Sequence, residues 1–131
     1  METLDVGRVA EVTQPVTENL TADHFGNPGA AVFATPALIA LLEQTAIAAI
    51  APTLAPGQGS VGTRVDVRHL AATPVGMTVT ARAELIEVDG RRLVFTVSAR
   101  DDVEPIAEGT HERFLVNSME RFLARATTKR S

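Results

Sequence analysis

The segment that most limits what this chain can fold into runs from Thr35 to Pro52. Thr35 before Pro36 reads as a helix N-cap with proline at the first helical position, and Pro52 stops the helix that starts there. Between them, Ala37 to Ala51 contain neither glycine nor proline. Leu38, Ile39, Leu41, Leu42, Ala46, Ile47 and Ile50 lie on every side of the predicted helix. A helix apolar all round is a buried one, and a sheet from so short a chain is too small to cover it without a second subunit. The run is interrupted by Glu43 and short for a bilayer, which predicts a core helix and no membrane span.

After Pro56, Gly57 and Gly59 the apolar period falls to two. Val61, Thr63, Val65, Val67 and His69 take one face of a predicted strand, and Gly62, Arg64, Asp66 and Arg68 the other. A turn over 73–76 leads to a strand from Met77 to Val88. Asp89-Gly90 then signals a type I′ hairpin, and the returning strand places Leu93, Phe95, Val97 and Ala99 on one face. Asp101-Asp102 turns into a last strand over 105–117, and Ser118 caps a short terminal helix with Met119, Phe122 and Leu123. Ahead of the long helix, 6–16 can form a first strand and 17–31 a loop broken by Gly26, Asn27, Pro28 and Gly29.

Strands gathered about one helix predict an α+β fold, with an antiparallel sheet of about five strands wrapped around a long central helix. That is the hotdog arrangement. Such a sheet leaves edges and a face needing cover, so a homodimer is expected. The 131 residues leave room for a single domain, 1–131.

The chain has no cysteine, which excludes disulfides, thiolate zinc sites and a cysteine nucleophile. Met1 to Asp5 lack the basic and apolar regions of a signal peptide, so a soluble, cytoplasmic protein is expected. A net charge of −4 argues against nucleic acid as partner. Arg121, Arg125, Lys129 and Arg130 nevertheless gather at the C-terminus, as a solvated basic tail or as a phosphate contact.

Glu43 is the only charged residue between Phe25 and Thr63, with Ile39, Ala46, Ile47 and Ile50 beside it on the helix surface. A carboxylate there is either a polar anchor or an acid–base group, since burying it unpaired is costly. His69 closes the face of Val65 and Val67, as a core histidine or a proton carrier. His24, His69 and His111 are too scattered to form a metal motif, and no metal is implied. Besides capping, Thr35 would stand beside free helix N–H groups suited to a thioester carbonyl. Thr35 and Glu43 are separated by eight positions, about 12 Å at ~1.5 Å per residue. They therefore serve different ends of a substrate, or a second subunit contributes. The Gly-x-Ser-x-Gly, Walker and Gly-x-Gly-x-x-Gly signatures are absent.

Several blocks at matching spacings carry a family resemblance: Val32-Phe-Ala-Thr-Pro36, Leu42-Glu-Gln-Thr-Ala46, Gly59-Ser-Val-Gly-Thr63, His69-Leu-Ala-Ala-Thr-Pro74, Gly90-Arg-Arg-Leu93 and Gly109-Thr-His-Glu-Arg113. With them the chain resembles the fluoroacetyl-CoA thioesterase family of hotdog proteins. The resemblance implies a cofactor-free thioesterase that hydrolyses a short-chain acyl-CoA to free acid and CoA. It implies Thr35, Glu43 and His69 as catalytic residues, and Gly62, His69 and Arg113 as substrate contacts. The fluoroacetyl-specific enzyme carries phenylalanines in the loop before the threonine, where this chain has Gly26 and Gly29, so that specificity is not implied. A CoA-linked hydratase or dehydratase, and a non-catalytic acyl-CoA-binding module, are the alternatives on this fold.

Overall fold

The computed structural model describes Glu2 to Arg130. The elements are β1 (Val9–Pro15), α1 (Thr35–Ile50), β2 (Gly59–His69), β3 (Thr78–Asp89), β4 (Arg92–Arg100), β5 (Pro105–Val116) and α2 (Met119–Thr127), with short 3-10 turns at Glu18–Leu20, Ala51–Thr53 and Thr128–Arg130. Five strands make one antiparallel sheet in the order β1-β3-β4-β5-β2. Helix α1 lies against one face of it and touches β1, β2, β3 and β4. This is the hotdog fold.

The alternation of β3 and β4 explains the packing. Val79, Ala81, Ala83 and Leu85, with Leu93, Phe95, Val97 and Ala99, are buried against Leu38, Leu41, Leu42, Ala46, Ala49 and Ile50. Alanines on both surfaces let the helix approach the sheet closely, while each fully buried leucine or phenylalanine contributes about 1.5–3 kcal/mol. The opposite face carries Thr80, Arg82, Glu84, Thr96 and Ser98. At its C-terminal end α1 is held by Arg8, whose Nε donates to the Ala49 carbonyl at 2.7 Å.

Four features refine or correct the expectations. First, the sheet leaves one side of α1 uncovered: Pro36, Ala40, Gln44, Ile47 and Ala48 form a stripe exposed to solvent. Second, with the 3-10 turn that continues it, the helical run extends over Thr35–Thr53, and its 19 residues are long and apolar enough by composition to cross a membrane. Its buried face against the sheet accounts for that composition. Third, the β3–β4 hairpin turns on Gly90-Arg91, because Asp89 pairs with Arg92. Gly90 has φ 62° and no described non-glycine residue has positive φ, which rules out a type I′ turn and fits Gly90 at the first central position of type II′. Fourth, the β2–β5 register shifts between Gly62 and Arg64, leaving Thr63 as the extra residue of a bulge. Gly62 pairs with Arg113, Val65 with His111 and His69 with Ala107, so Gly62 shares the helix-facing side with Val65, Val67 and His69 instead of opposing them.

Candidate active site

The N-terminus of α1 is fixed from outside the helix. Phe33 N–H donates to the Thr73 carbonyl at 2.8 Å and Ala34 N–H to the Leu20 carbonyl at 2.9 Å. These bonds seat the helix start on the loop that follows His69 and on the 3-10 turn that ends at Leu20. Thr73 Oγ1 donates in turn to Asp101 Oδ2 at 2.8 Å, and Asp101 Oδ1 accepts from Val103 N at 2.8 Å and Glu104 N at 2.9 Å. Burial works to raise the Asp101 carboxyl, but these bonds, with Arg100 adding to them, hold it below its ordinary value.

Thr35 is not the N-cap. That position is Ala34, which has no side chain to cap with, and Thr35 is the first helical residue. Its hydroxyl meets a histidine instead: Oγ1 lies 2.8 Å from His69 Nδ1. With Nδ1 accepting, Nε2 carries the ring proton; it is buried and, among the described residues, is the only such side-chain nitrogen or oxygen without a hydrogen-bond partner. Burial lowers the His69 pKa, with the Ala71 backbone partly opposing it, so the ring is neutral at pH 7 and free to take a proton. Thr35 and His69 line a cavity of about 380 Å³ together with Phe33, Val32, Asn27 and Ala30.

Glu43 belongs to a second cluster. Arg113 Nη1 donates to Glu43 Oε2 at 3.0 Å and to His111 Nε2 at 3.1 Å. Its Nε and Nη2 donate to Ser60 Oγ at 2.8 Å and the Ser60 carbonyl at 3.0 Å. His111 Nδ1 donates to the Arg64 carbonyl at 2.8 Å, which leaves Nε2 as the acceptor and fixes the neutral tautomer. Burial is the main force lowering the His111 pKa and Arg113 adds to it, while the Arg64 carbonyl and Glu43 oppose. Burial also draws the Arg113 guanidinium down, against the pull of Glu43. Gly62 closes the cluster, since a Cβ there would lie 2.3 Å from Glu43 Oε2. Glu43 is thus not isolated among apolar side chains; its partner is a buried arginine.

Each chain therefore holds two separate polar clusters, Thr35 with His69 and Glu43 with Gly62 and Arg113. They stand eight positions apart on α1, about 12 Å, and seven apart on β2, about 23 Å. His111 and Ser60 were missed as site residues. The signal was there: Gly109, His111 and Arg113 alternate with Glu108, Thr110 and Glu112, and polar residues at core-facing positions need one another.

The loop before α1 also differs from an aromatic lid. Gly26 and Gly29 have φ 101° and 83°, and a Cβ at either would meet nothing within 4 Å. Phe33 is buried in the core, whereas Phe25 is half exposed, packs edge-on against His24, and lines a different cavity beside Gln14 and Ala40.

Comparison with known proteins gives the following. Residues 16–119 match the family model described as fluoroacetyl-CoA-specific thioesterase. The fluoroacetyl-CoA thioesterase of Streptantibioticus cattleyicolor is 50% identical over 98 residues, 75% of this chain and 70% of that protein. The crystal structure of the fluoroacetyl-CoA thioesterase FlK superimposes with a TM-score of 0.90 at 42% identity, covering 98% of both chains. A threonine-to-serine variant of FlK in complex with acetyl-CoA gives a TM-score of 0.91 at 41% identity, covering 96% of this chain and 98% of that one.

Proposed function

Since this chain belongs to the family of fluoroacetyl-CoA-specific thioesterases, we propose that it hydrolyses a short-chain acyl-CoA to the free acid and CoA in a site assembled from two copies. The observation that carries the reading is the 2.8 Å contact of Thr35 Oγ1 with His69 Nδ1 at the cavity. A hydroxyl bonded to a neutral imidazole is the arrangement by which a proton leaves an attacking oxygen. Nδ1 takes that proton and gives it on to the departing sulfur. The carbon–oxygen bond forms, the carbon–sulfur bond breaks, and the ring returns to its starting charge. If the attacking oxygen is Thr35 Oγ1, an acyl-threonine accumulates and is seen by intact mass in the first turnover. If it is water, none forms, and Thr35 serves to orient His69.

Glu43 completes the set as base for water, with Arg113 fixing its carboxylate and Gly62 leaving room for that carboxylate. Within one chain it is too far from His69 to act, which is why the reading needs a homodimer. The exposed Pro36, Ala40, Ile47 and Ala48 stripe on α1 and the eleven-residue edge strand β2, with Val65 partly exposed, are surfaces that a second copy would cover. An antiparallel pairing of two β2 edges centred near Val65 would set His69 of one copy abreast of Gly62 in the other. The same reading places the enzyme in the cytoplasm, which suits its substrate and its lack of cysteine.

Complementation tests the shared site. His69→Ala and Glu43→Gln chains are each inactive as homodimers, yet a mixed dimer keeps one site with both residues intact. Mixing after brief unfolding is expected to restore thioesterase activity. Failure of verified mixed dimers to hydrolyse any short acyl-CoA would overturn the assembly of the site from two copies.

A further inference from the structure

Two of the C-terminal basic residues, Arg121 and Arg125, line a pocket that the reaction above does not use. Arg121 and Arg125 of α2 line a surface pocket of about 500 Å³ with Arg91 of the β3–β4 turn, Phe114 of β5 and Phe122. Arg91 lies over the Phe114 ring, 5.1 Å from its centroid, and its carbonyl accepts from Leu115 N at 2.7 Å. Phe114 and Phe122 remain 38% and 46% exposed, so part of each side chain stays accessible beside the cations.

The cations are unbalanced. Among the described residues, none of the three has a carboxylate within ion-pair distance, whereas Arg8, Arg64, Arg82, Arg92 and Arg113 each have one. Arg68 and Arg100 also lack one, but their pockets contain Glu108 with Asp66 or Glu11; this pocket contains no acid. Arg121 and Arg125 sit at i and i+4, where like charges oppose the helix, and Arg121 is in the N-terminal half of α2, where the dipole disfavours a cation. Helix stability does not explain the arrangement.

We propose that this pocket binds the nucleotide end of acyl-CoA, its phosphates on Arg91, Arg121 and Arg125 and its purine against Phe114 or Phe122. In a chain of net charge −4, a polyanionic substrate needs such a local cationic surface. Guanidinium groups are the donors suited to phosphate, and accessible phenyl rings are the surface suited to a base. The position agrees with the thioesterase reading, on which the identity of the ligand rests. Met119 N donates to the Gly57 carbonyl at 2.8 Å, and the Met119 side chain lies over Gly59. Helix α2 is thereby fastened to the end of β2 that carries Ser60 and Gly62, with Gly62 about 10 Å further along at ~3.3 Å per residue. In the proposed dimer this end adjoins the other copy's His69, so the phosphates and the thioester lie at two ends of one path.

Two measurements test it. Calorimetric titration with adenosine 3′,5′-bisphosphate needs no turnover; R121E/R125E is expected to weaken binding at least ~10-fold, with the neutral R121Q/R125Q between it and wild type. Kinetically, the ratio of kcat/KM on an acyl-CoA to that on the same acyl group carried by N-acetylcysteamine, which has no nucleotide, should fall at least ~10-fold in R121E/R125E. A binding constant and a ratio both within about twofold of wild type would overturn the proposal, as would a change of oligomeric state in light scattering, which would make the pocket a protein interface. Arginine-dependent bisphosphate binding by a chain that hydrolyses neither thioester would support the nucleotide pocket and sink the thioesterase reading instead.

Discussion

His69 must be uncharged to accept a proton, and its burial works in that direction. The acid limb of the kcat/KM profile should therefore lie below the ordinary histidine value of about 6.5, with activity held from neutrality downward until pH falls through that lowered value. A limb at or above pH ~6.5 would mean that another group carries the proton. The same sign governs stability. His69 and His111 both have lowered pKa values, so each stabilises the fold fully above about pH 6.5 and loses that contribution as pH falls through its folded value. Glu43→Gln and His69→Ala should each lower kcat by at least ~10²-fold with the fold intact, the glutamine carbonyl still accepting from Arg113. Steady-state kinetics beside thermal unfolding separates these outcomes, and near wild-type turnover in either variant would reduce that residue to a structural polar group.

At the scale of elements, the loop before α1 sets the expected specificity. With Gly26 and Gly29 where a lid would carry aromatic side chains, the acyl end is wider, and a methylene in an apolar pocket is worth only about 1–3 kcal/mol. Propionyl- and butyryl-CoA should match or exceed acetyl-CoA, and fluoroacetyl-CoA should gain little; comparing kcat/KM over these four substrates decides it, and a ~10³-fold preference for the fluorinated one would refute it. Asp101 holds the loop behind His69 through Thr73, so Asp101→Ala should cost about 1–3 kcal/mol in chemical denaturation. Strand alternation made β3, β4 and the core legible in advance, since one period-two pattern dictates both faces. What sequence concealed was any single residue that breaks a period. Thr63, as a bulge, moves Gly62 to the helix-facing side, and the turn centre moves from Asp89-Gly90 to Gly90-Arg91. Thr35 looked like a cap because its local chemistry fits one; only the approach of His69 from 34 positions away shows that its hydroxyl is otherwise engaged. Which side of α1 stays uncovered was not legible, because Ile47 and the alanines of that stripe are as apolar as the buried residues.

For the whole molecule, the prediction is a dimer by light scattering at micromolar concentration. Val65→Arg on the β2 edge or Ile47→Asp on the α1 stripe should yield monomers that keep their secondary structure by circular dichroism and lose thioester hydrolysis. Folded, active monomers would dismiss the shared site. The separation of Thr35 and His69 from Glu43 within a chain has a consequence for dosage. A lone protomer could hold a thioester without turning it over, so below the dimer dissociation constant the hydrolytic rate would rise with the square of protein abundance. A cell making a little of the chain would be nearly without the activity, and doubling expression in that range would quadruple it.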